Sequence, residues 1–231
     1  MNAEQIRQSL IVKYKKSVAI LTLYNILHNI RHVIADYIKQ KYRELQIGGP
    51  PEKNKTVALD ESLFIHDIDN SQVWIVGAKE TDSNRLRLDV IKERNGANLK
   101  IFVTNHIAPG TKIVTDGWLG YSFLDDDDNS VWEHEIHHHG GGDFGFGSNS
   151  TSHIENCWAN LKYQIKSIYN KIPKANFIFF LREAEFRLFV SKKNNEKKLE
   201  YFKKMLKYVY EVNNFNFFTE EELLNFNNYD Y

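Results

Sequence analysis

At 231 residues and 42% hydrophobic content, the chain is long enough to bury one main core with appendages. It has no run of eighteen apolar residues, which argues against a membrane-spanning helix, and the charges scattered through MNAEQIRQSLIVKYKKS leave no room for a secretory signal. The single cysteine, Cys157, excludes an internal disulfide and a cysteine-based zinc site, and an intracellular protein is expected.

The net charge of zero conceals segregation: +6 over residues 1–55, −9 over 56–150, +8 over 151–210 and −5 over 211–231. An acidic middle between basic flanks suits a metal site beside a groove for a polyanion. The plainer reading is that solvated charges cluster by chance.

In chain order, residues 4–46 read as helical, with apolar spacing through LTLYNILHNIRHVIADYI and no Gly or Pro before Gly48. IGGPPEKNK (47–55) is a turn-rich linker. Strands follow at 56–64, 71–80 and 85–93, the last alternating Leu86, Leu88 and Val90 with polar partners as a half-exposed strand would. GANLKIFVTNHI (96–107) reads as a helix with Ala97, Ile101 and His106 facing in, ended by Pro109-Gly110. TKIVTD is the next strand, and WLGY could start a helix after it. DDDDNS (125–130) is an acidic loop, VWEHEIHH (131–138) a further strand, and the glycine-rich 137–152 is irregular. A helix runs from Ser152 to near Pro173, a second (175–190) packs behind it, and the tail from Asn194 is helical and charged. These elements predict an α/β fold, a mixed sheet flanked by helices, with an N-terminal helical appendage.

Three acids stand at informative places. Asp60 interrupts the first strand, in VALDES, where an apolar residue is the default. Asp116 ends the strand KIVT, and Glu155 lies in the first turns of the helix SHIENCWANLK. Each has a plain reading: an ion-paired strand acid, a helix cap and a helix-dipole acid. Brought to one end of the sheet, the three would repel one another unless a cation sat among them. Such hard oxygens suit Mg²⁺ or Mn²⁺, and two ions about 3.5–4 Å apart can drive phosphodiester chemistry.

Five ordered blocks, IGGPPEKNKTVALDESLF, VWIVGAKE, IAPGTKIVTDGWLGY, WEHEIHHH and TSHIENCWANLK, resemble the Merlin-type DDE transposases and their bacterial insertion-sequence relatives. The resemblance covers roughly residues 47–190. It implies an RNase H-like catalytic domain over 56–190, with a helical segment 1–46 fitting a truncated helix-turn-helix, a linker 47–55 and a charged helical tail 191–231. It implies that Asp60, Asp116 and Glu155 are the catalytic, metal-binding triad, holding Mg²⁺ or Mn²⁺ as two ions. The implied partners are double-stranded DNA, at transposon ends and target, and further copies of the chain in a homodimer or larger assembly. The implied function is cleavage at transposon ends and strand transfer. The alternatives are a truncated or domesticated copy that only binds DNA or a protein, and a stand-alone RNase H-like nuclease. Where relatives carry Thr-Asn or Thr-Gln before the third acid, this chain has Thr151, Ser152 and His153, and that amide position is a rival third ligand.

Lys162 and Lys166 extend a basic edge from Glu155, continued by Lys171, and are expected to meet phosphates. Arg182 and Arg187 on the next helix do the same or are simply solvated. Lys13, Lys15, Lys16, Arg31 and Lys39 suit a remnant DNA-binding motif. His138 falls in a block that the resemblance places near the active site, where it would contact DNA or the attacking water. His134, His137, His138 and His139 also invite a zinc reading, although no cysteine or clear carboxylate completes such a site. Trp158 reads as core packing that fixes its helix, and Cys157 as a buried small apolar residue.

Overall fold

The computed structural model describes residues 3–42, 46–50, 55–65, 72–125, 131–137, 150–168, 177–191 and 195–213. It divides into two units, Met1–Lys192 and Lys193–Tyr231. In the second, the described element is a helix, Asn195–Asn213 (α6).

The first unit is built on one five-stranded sheet: β1 (Thr56–Ile65), β2 (Gln72–Glu80), β3 (Leu86–Ile91), β4 (Lys112–Thr115) and β5 (Glu133–Ile136). Their order is β3-β2-β1-β4-β5. β1, β2 and β3 form an antiparallel meander, while β4 lies parallel to β1 and β5 parallel to β4. This is the mixed α/β sheet expected from the sequence, with the strand order of an RNase H-like core, and β1 at its centre. Helix α3 (Gly96–His106) and a 3₁₀ turn (Leu119–Leu124) cover one face. Helices α4 (Ser152–Ile168) and α5 (Phe177–Ser191) cover the other.

Alternation along β1 divides the core between these faces. Val57 and Leu59 pack with Leu99, Phe102 and Val103 of α3, whereas Ala58 and Phe64 pack with Ile154, Trp158 and Leu181. The inward residues of α3 are therefore Leu99, Phe102 and Val103. Ala97 and Ile101, expected inside, are exposed, Ile101 at 60%. The apolar spacing of GANLKIFVTNH fits two helix faces, and the contact with the sheet chose the one bearing Phe102. Asn95 caps α3 by accepting from Asn98 N at 2.9 Å.

Two further expectations change. The N-terminal helix breaks into α1 (Ala3–Tyr14) and α2 (Ile20–Tyr37), because Lys15 takes the left-handed region (φ 55) without a glycine to announce it. α2 then docks on α5, with Arg31 bonded to Glu183 at 2.8 Å and set over the ring of Phe180 at 4.6 Å. Within the expected linker, Ile47 is fully buried and bridges Ile107.

β3 was expected to be half exposed, but Leu86, Arg87 and Leu88 are buried, and only Val90 is open, at 43%. The reason is α5. Glu185 Oε1 accepts from Leu88 N at 2.6 Å, and Arg182 donates to Leu88 O and to Asp89. Side chains thus occupy the backbone groups that an edge strand would leave open to another chain. Arg182 and Glu185 are themselves paired at 3.0 Å. Among the described residues, no helix is long and apolar enough to cross a membrane.

Removing Glu185 leaves a buried guanidinium and a buried amide short of an acceptor. We expect Glu185→Ala to lower unfolding free energy by about 3 kcal/mol, read from urea denaturation. Removing the exposed Glu4, paired with Arg7 at 2.9 Å, should leave the denaturation curve nearly unchanged, because solvent screens a surface ion pair.

Candidate active site

Adjacent acids on β1 point to opposite faces of the sheet, Asp60 toward α4 and Glu61 toward α3. Asp60 Oδ2 accepts a 2.8 Å hydrogen bond from Nε1 of Trp158 on α4. The indole reaches it because Gly77 stands directly across from Asp60 in the β1–β2 pair. A Cβ on Gly77 would lie 2.5 Å from Cη2 of Trp158 and 3.0 Å from Cδ1 of Ile154. The expected packing role of Trp158 is present, with a polar duty added to it.

Asp116 arrives along β4. The parallel register pairs Ala58 with Val114; two residues further on stand Asp60, within β1, and Asp116, one residue past the end of β4. Their proximity shows in the electrostatics. Burial raises the Asp60 carboxyl to about 6, the Trp158 hydrogen bond opposes the rise, and the charges of Glu61 and Asp116 add to it.

The chain turns sharply after Asp116. Asp116 Oδ1 accepts from Trp118 N at 3.0 Å, and Gly117 has φ +78 with a would-be Cβ 2.5 Å from Cγ2 of Ile136. Both the backbone and the space demand glycine. The next element is a 3₁₀ turn without a side-chain cap, so Asp116 braces the bend and does not cap a helix.

Glu155 lies in the first turn of α4, three residues before Trp158 and so on the same helical side. Its Oε1 accepts from the Thr151 hydroxyl at 2.8 Å. Among the described residues, no group of three or more His, Cys, Asp or Glu is arranged to hold a metal ion. The structure thus brings Asp60 and Asp116 together, and sets Glu155 one helical turn from the residue bonded to Asp60, its carboxylate held by Thr151. As a donor set the three are hard oxygens that suit Mg²⁺ or Mn²⁺. The raised Asp60 carboxyl is one that a nearby cation would stabilise in its charged form.

On the opposite face lies a network that sequence reasoning missed. Glu61 accepts from Arg94 Nε at 2.6 Å and from the Tyr121 hydroxyl. The Arg94 guanidinium sits 4.0 Å over the ring of Trp118 and 5.3 Å from that of Trp74. Burial and the nearby acids push the Tyr121 hydroxyl well above its ordinary value, so it stays a donor. The one available signal was the doublet Asp60-Glu61, which in a strand must serve both faces.

Among the described residues, His134 joins no group arranged to hold a metal ion. Its Nδ1 lies 2.6 Å from Asp125 Oδ1 and its Nε2 lies 2.9 Å from Thr115 Oγ1. His138, His139 and Lys171 lie outside the described residues, as does the side chain of Lys166. Lys162 is exposed on α4, its ammonium 5.3 Å over the Phe64 ring. Arg182 belongs to the buried edge seal, and Arg187 pairs with Glu183. Cys157 is buried, its thiol pushed up to about 11 by desolvation.

With Asp60 raised from about 3.8 to about 6, folding favours its neutral form. This contribution is complete below about pH 4 and is lost as pH rises through about 6, on the order of 3 kcal/mol in all. We expect metal-free protein to lose that stability between pH 4 and 7, and Asp60→Asn to flatten the loss, in denaturation curves taken across the range.

The model of the ISXO2-like transposase domain matches residues 33–188. No curated protein matches the chain. Among solved structures, the chain is similar to a simian T-cell lymphotropic virus intasome in complex with PP2A regulatory subunit B56 gamma. The identity there is 17% and the TM-score 0.43, covering 65% of this chain and 51% of that one. It is similar also to the HTLV-2 integrase catalytic core domain in complex with magnesium. The dimeric form has 12% identity and TM-score 0.36, the trimeric form 14% and 0.37, and each covers 62% of this chain and 87% of that one. The chain thus spans about half the length of the intasome chain it matches. The family match takes in α2 from residue 33, the whole sheet and nearly all of α5, more than half of the chain, and on it the protein belongs to the ISXO2-like transposase domain family of DDE transposases.

Proposed function

We propose that the protein cleaves DNA at transposon ends and joins the freed 3′-hydroxyl to target DNA, with Asp60, Asp116 and Glu155 as the metal-binding catalytic acids. The observation that carries this is the approach of Asp60 and Asp116 from parallel strands, within a chain of the transposase family. Asp60 is the buried, oriented member, held by the Trp158 indole. Asp116 is the exposed member, presented on a bend held by the Trp118 amide and by a position that only glycine fits. Glu155 joins them when its carboxylate leaves the Thr151 hydroxyl.

A divalent ion bound there supplies charge stabilisation at the phosphoryl oxygens. The chain's own part is to hold the Asp60 and Asp116 carboxylates in place and to offer Asp60 as an acid whose charged form a bound cation would stabilise. In the first step water attacks the phosphodiester and the 3′-oxygen leaves with a proton. In the second that 3′-hydroxyl attacks a target phosphate, and the target's own 3′-oxygen leaves. Both are in-line displacements at phosphorus, so one set of acids serves both. Two DNA ends are joined in one event, which calls for a homodimer or larger assembly.

Asp116→Asn keeps the shape and removes the charge. We expect cleavage of supplied transposon ends to fall by orders of magnitude while the variant stays folded. The melting temperature of the parent should rise with added Mn²⁺, which binds only the folded state, and that of the variant should rise less. Full-rate cutting by Asp116→Asn would sink the assignment. Cutting without joining would identify a nuclease, and neither would identify a binding protein.

Lys162 follows Glu155 by seven residues, about 10 Å along the helix, where a phosphate near the scissile bond would lie. We expect Lys162→Ala to weaken DNA binding for all sequences and to flatten the log–log salt dependence by about one unit, measured by fluorescence anisotropy at several salt concentrations. An unchanged slope would leave its contact with Phe64 as its whole role.

A further inference from the structure

The bend after β4 is held by a chain of hydrogen bonds that none of the expected roles of its residues includes. Gly117 N donates to Thr115 Oγ1 at 3.2 Å, Thr115 Oγ1 lies 2.9 Å from His134 Nε2, and His134 Nδ1 lies 2.6 Å from Asp125 Oδ1. The direction of the chain follows from its end. A carboxylate only accepts, so Nδ1 of the imidazole carries its proton to Asp125. In the neutral ring Nε2 is then an acceptor, the Thr115 hydroxyl donates to it, and the hydroxyl lone pairs are left for the Gly117 amide. Each partner has one geometry that satisfies the next.

We propose that Thr115, His134 and Asp125 form a brace for Asp116, with Thr115 and His134 as positioning residues for the second metal-binding acid. The inference rests on the reading of Asp116 as a metal ligand. Thr115 immediately precedes Asp116 and Gly117 immediately follows it, so the brace grips the backbone on both sides of the acid. The Thr115 residue is fully buried and the His134 side chain is 4% exposed. A hydroxyl and an imidazole in such a place need fixed partners, and two of their three bonds here go to the bend or to the residue that starts it. Both ring nitrogens of His134 are occupied by Thr115 and Asp125.

A second support meets the first. Asp116 Oδ1 accepts from Trp118 N, and the Trp118 ring lies under Arg94 at 4.0 Å and edge-on to Tyr121 at 5.9 Å. Arg94 is fixed in turn by Glu61 at 2.6 Å. The carboxylate is thus tied through its own oxygen on one side and through its flanking backbone on the other. Fixing a ligand before the metal arrives removes the ordering cost that binding would otherwise carry, and hydrogen-bonded supports of metal ligands act in this way.

The test is Mn²⁺ binding by isothermal titration calorimetry on the full chain, with melting temperature measured beside it. Thr115→Val fills the same space and suits a strand but has no hydroxyl, whereas Thr115→Ser keeps the hydroxyl and loses a methyl. Positioning expects Val to weaken Mn²⁺ binding by about tenfold and Ser to stay within a factor of two or so of the parent. Simple packing expects the reverse ranking in melting temperature and no change in Mn²⁺ affinity for either. Should Thr115→Val fail to fold, His134→Ala on the short strand β5 decides the matter, with the same tenfold loss expected. Parental affinity in Thr115→Val or in His134→Ala overturns the brace and leaves the transposase reading standing. A parent that binds no Mn²⁺ removes both.

Discussion

The close approach of α4 to the sheet at Gly77 is the constraint on which the rest of the site depends. A single missing Cβ lets the Trp158 ring lie against β2, and only from there does its Nε1 reach Asp60 on the central strand. The same contact fixes the rotation of α4 about its axis, because Ile154 and Trp158 must both face the sheet. Once that rotation is set, Glu155 stands one helical turn before Trp158 and Lys162 is beside Phe64. A larger residue at position 77 would move the helix, the indole and Glu155 together.

The site also shows how a fold can bury a carboxylate without pairing it with a cation of its own. Asp60 is raised because burial penalises its charge and because Glu61 and Asp116 stand near it. Glu61, its neighbour on the chain, has the opposite treatment, with Arg94 and Tyr121 on the α3 face. One acid is satisfied by a cation and a hydroxyl, and the other is held by neutral donors, the Trp158 indole and the Glu61 backbone. That asymmetry separates a structural acid from one suited to a divalent ion, and it arises from strand alternation, which sends successive side chains into different surroundings.

Around the site the structure is stiff where the acids sit and sealed where a sheet is vulnerable. The Asp116 bend is held by hydrogen bonds from Thr115 and Trp118 and by the requirement for glycine at 117. At the far edge, Arg182 and Glu185 occupy the peptide groups of Leu88, so β3 does not offer a free ladder there to another chain. The docking of α2 on α5 through Arg31 and Glu183 adds the N-terminal helices to that same side.

Much of this was legible in the sequence. The apolar run opening VALDESLF and the β-branched pair in KIVT mark strands, and the 3.6-residue spacing of IENCWANLK marks a helix. The five ordered blocks place the chain among DDE transposases, and they contain Asp60, Asp116 and Glu155, the acids proposed to hold the metal. These are local signals, carried by neighbours in the chain, and they survive without coordinates. What the tertiary structure alone decided is which face of each element is used. It chose Leu99, Phe102 and Val103 of α3 over Ala97 and Ile101, because the sheet contact takes the face with the larger apolar side chains. It broke the first helix at Lys15, where no glycine gave notice. It assigned His134 to Thr115 and Asp125, and Arg94 to Glu61 across 33 residues of chain. Such pairings depend on strand order and register, and no local pattern carries that information, because the partners are neighbours only after the sheet has formed.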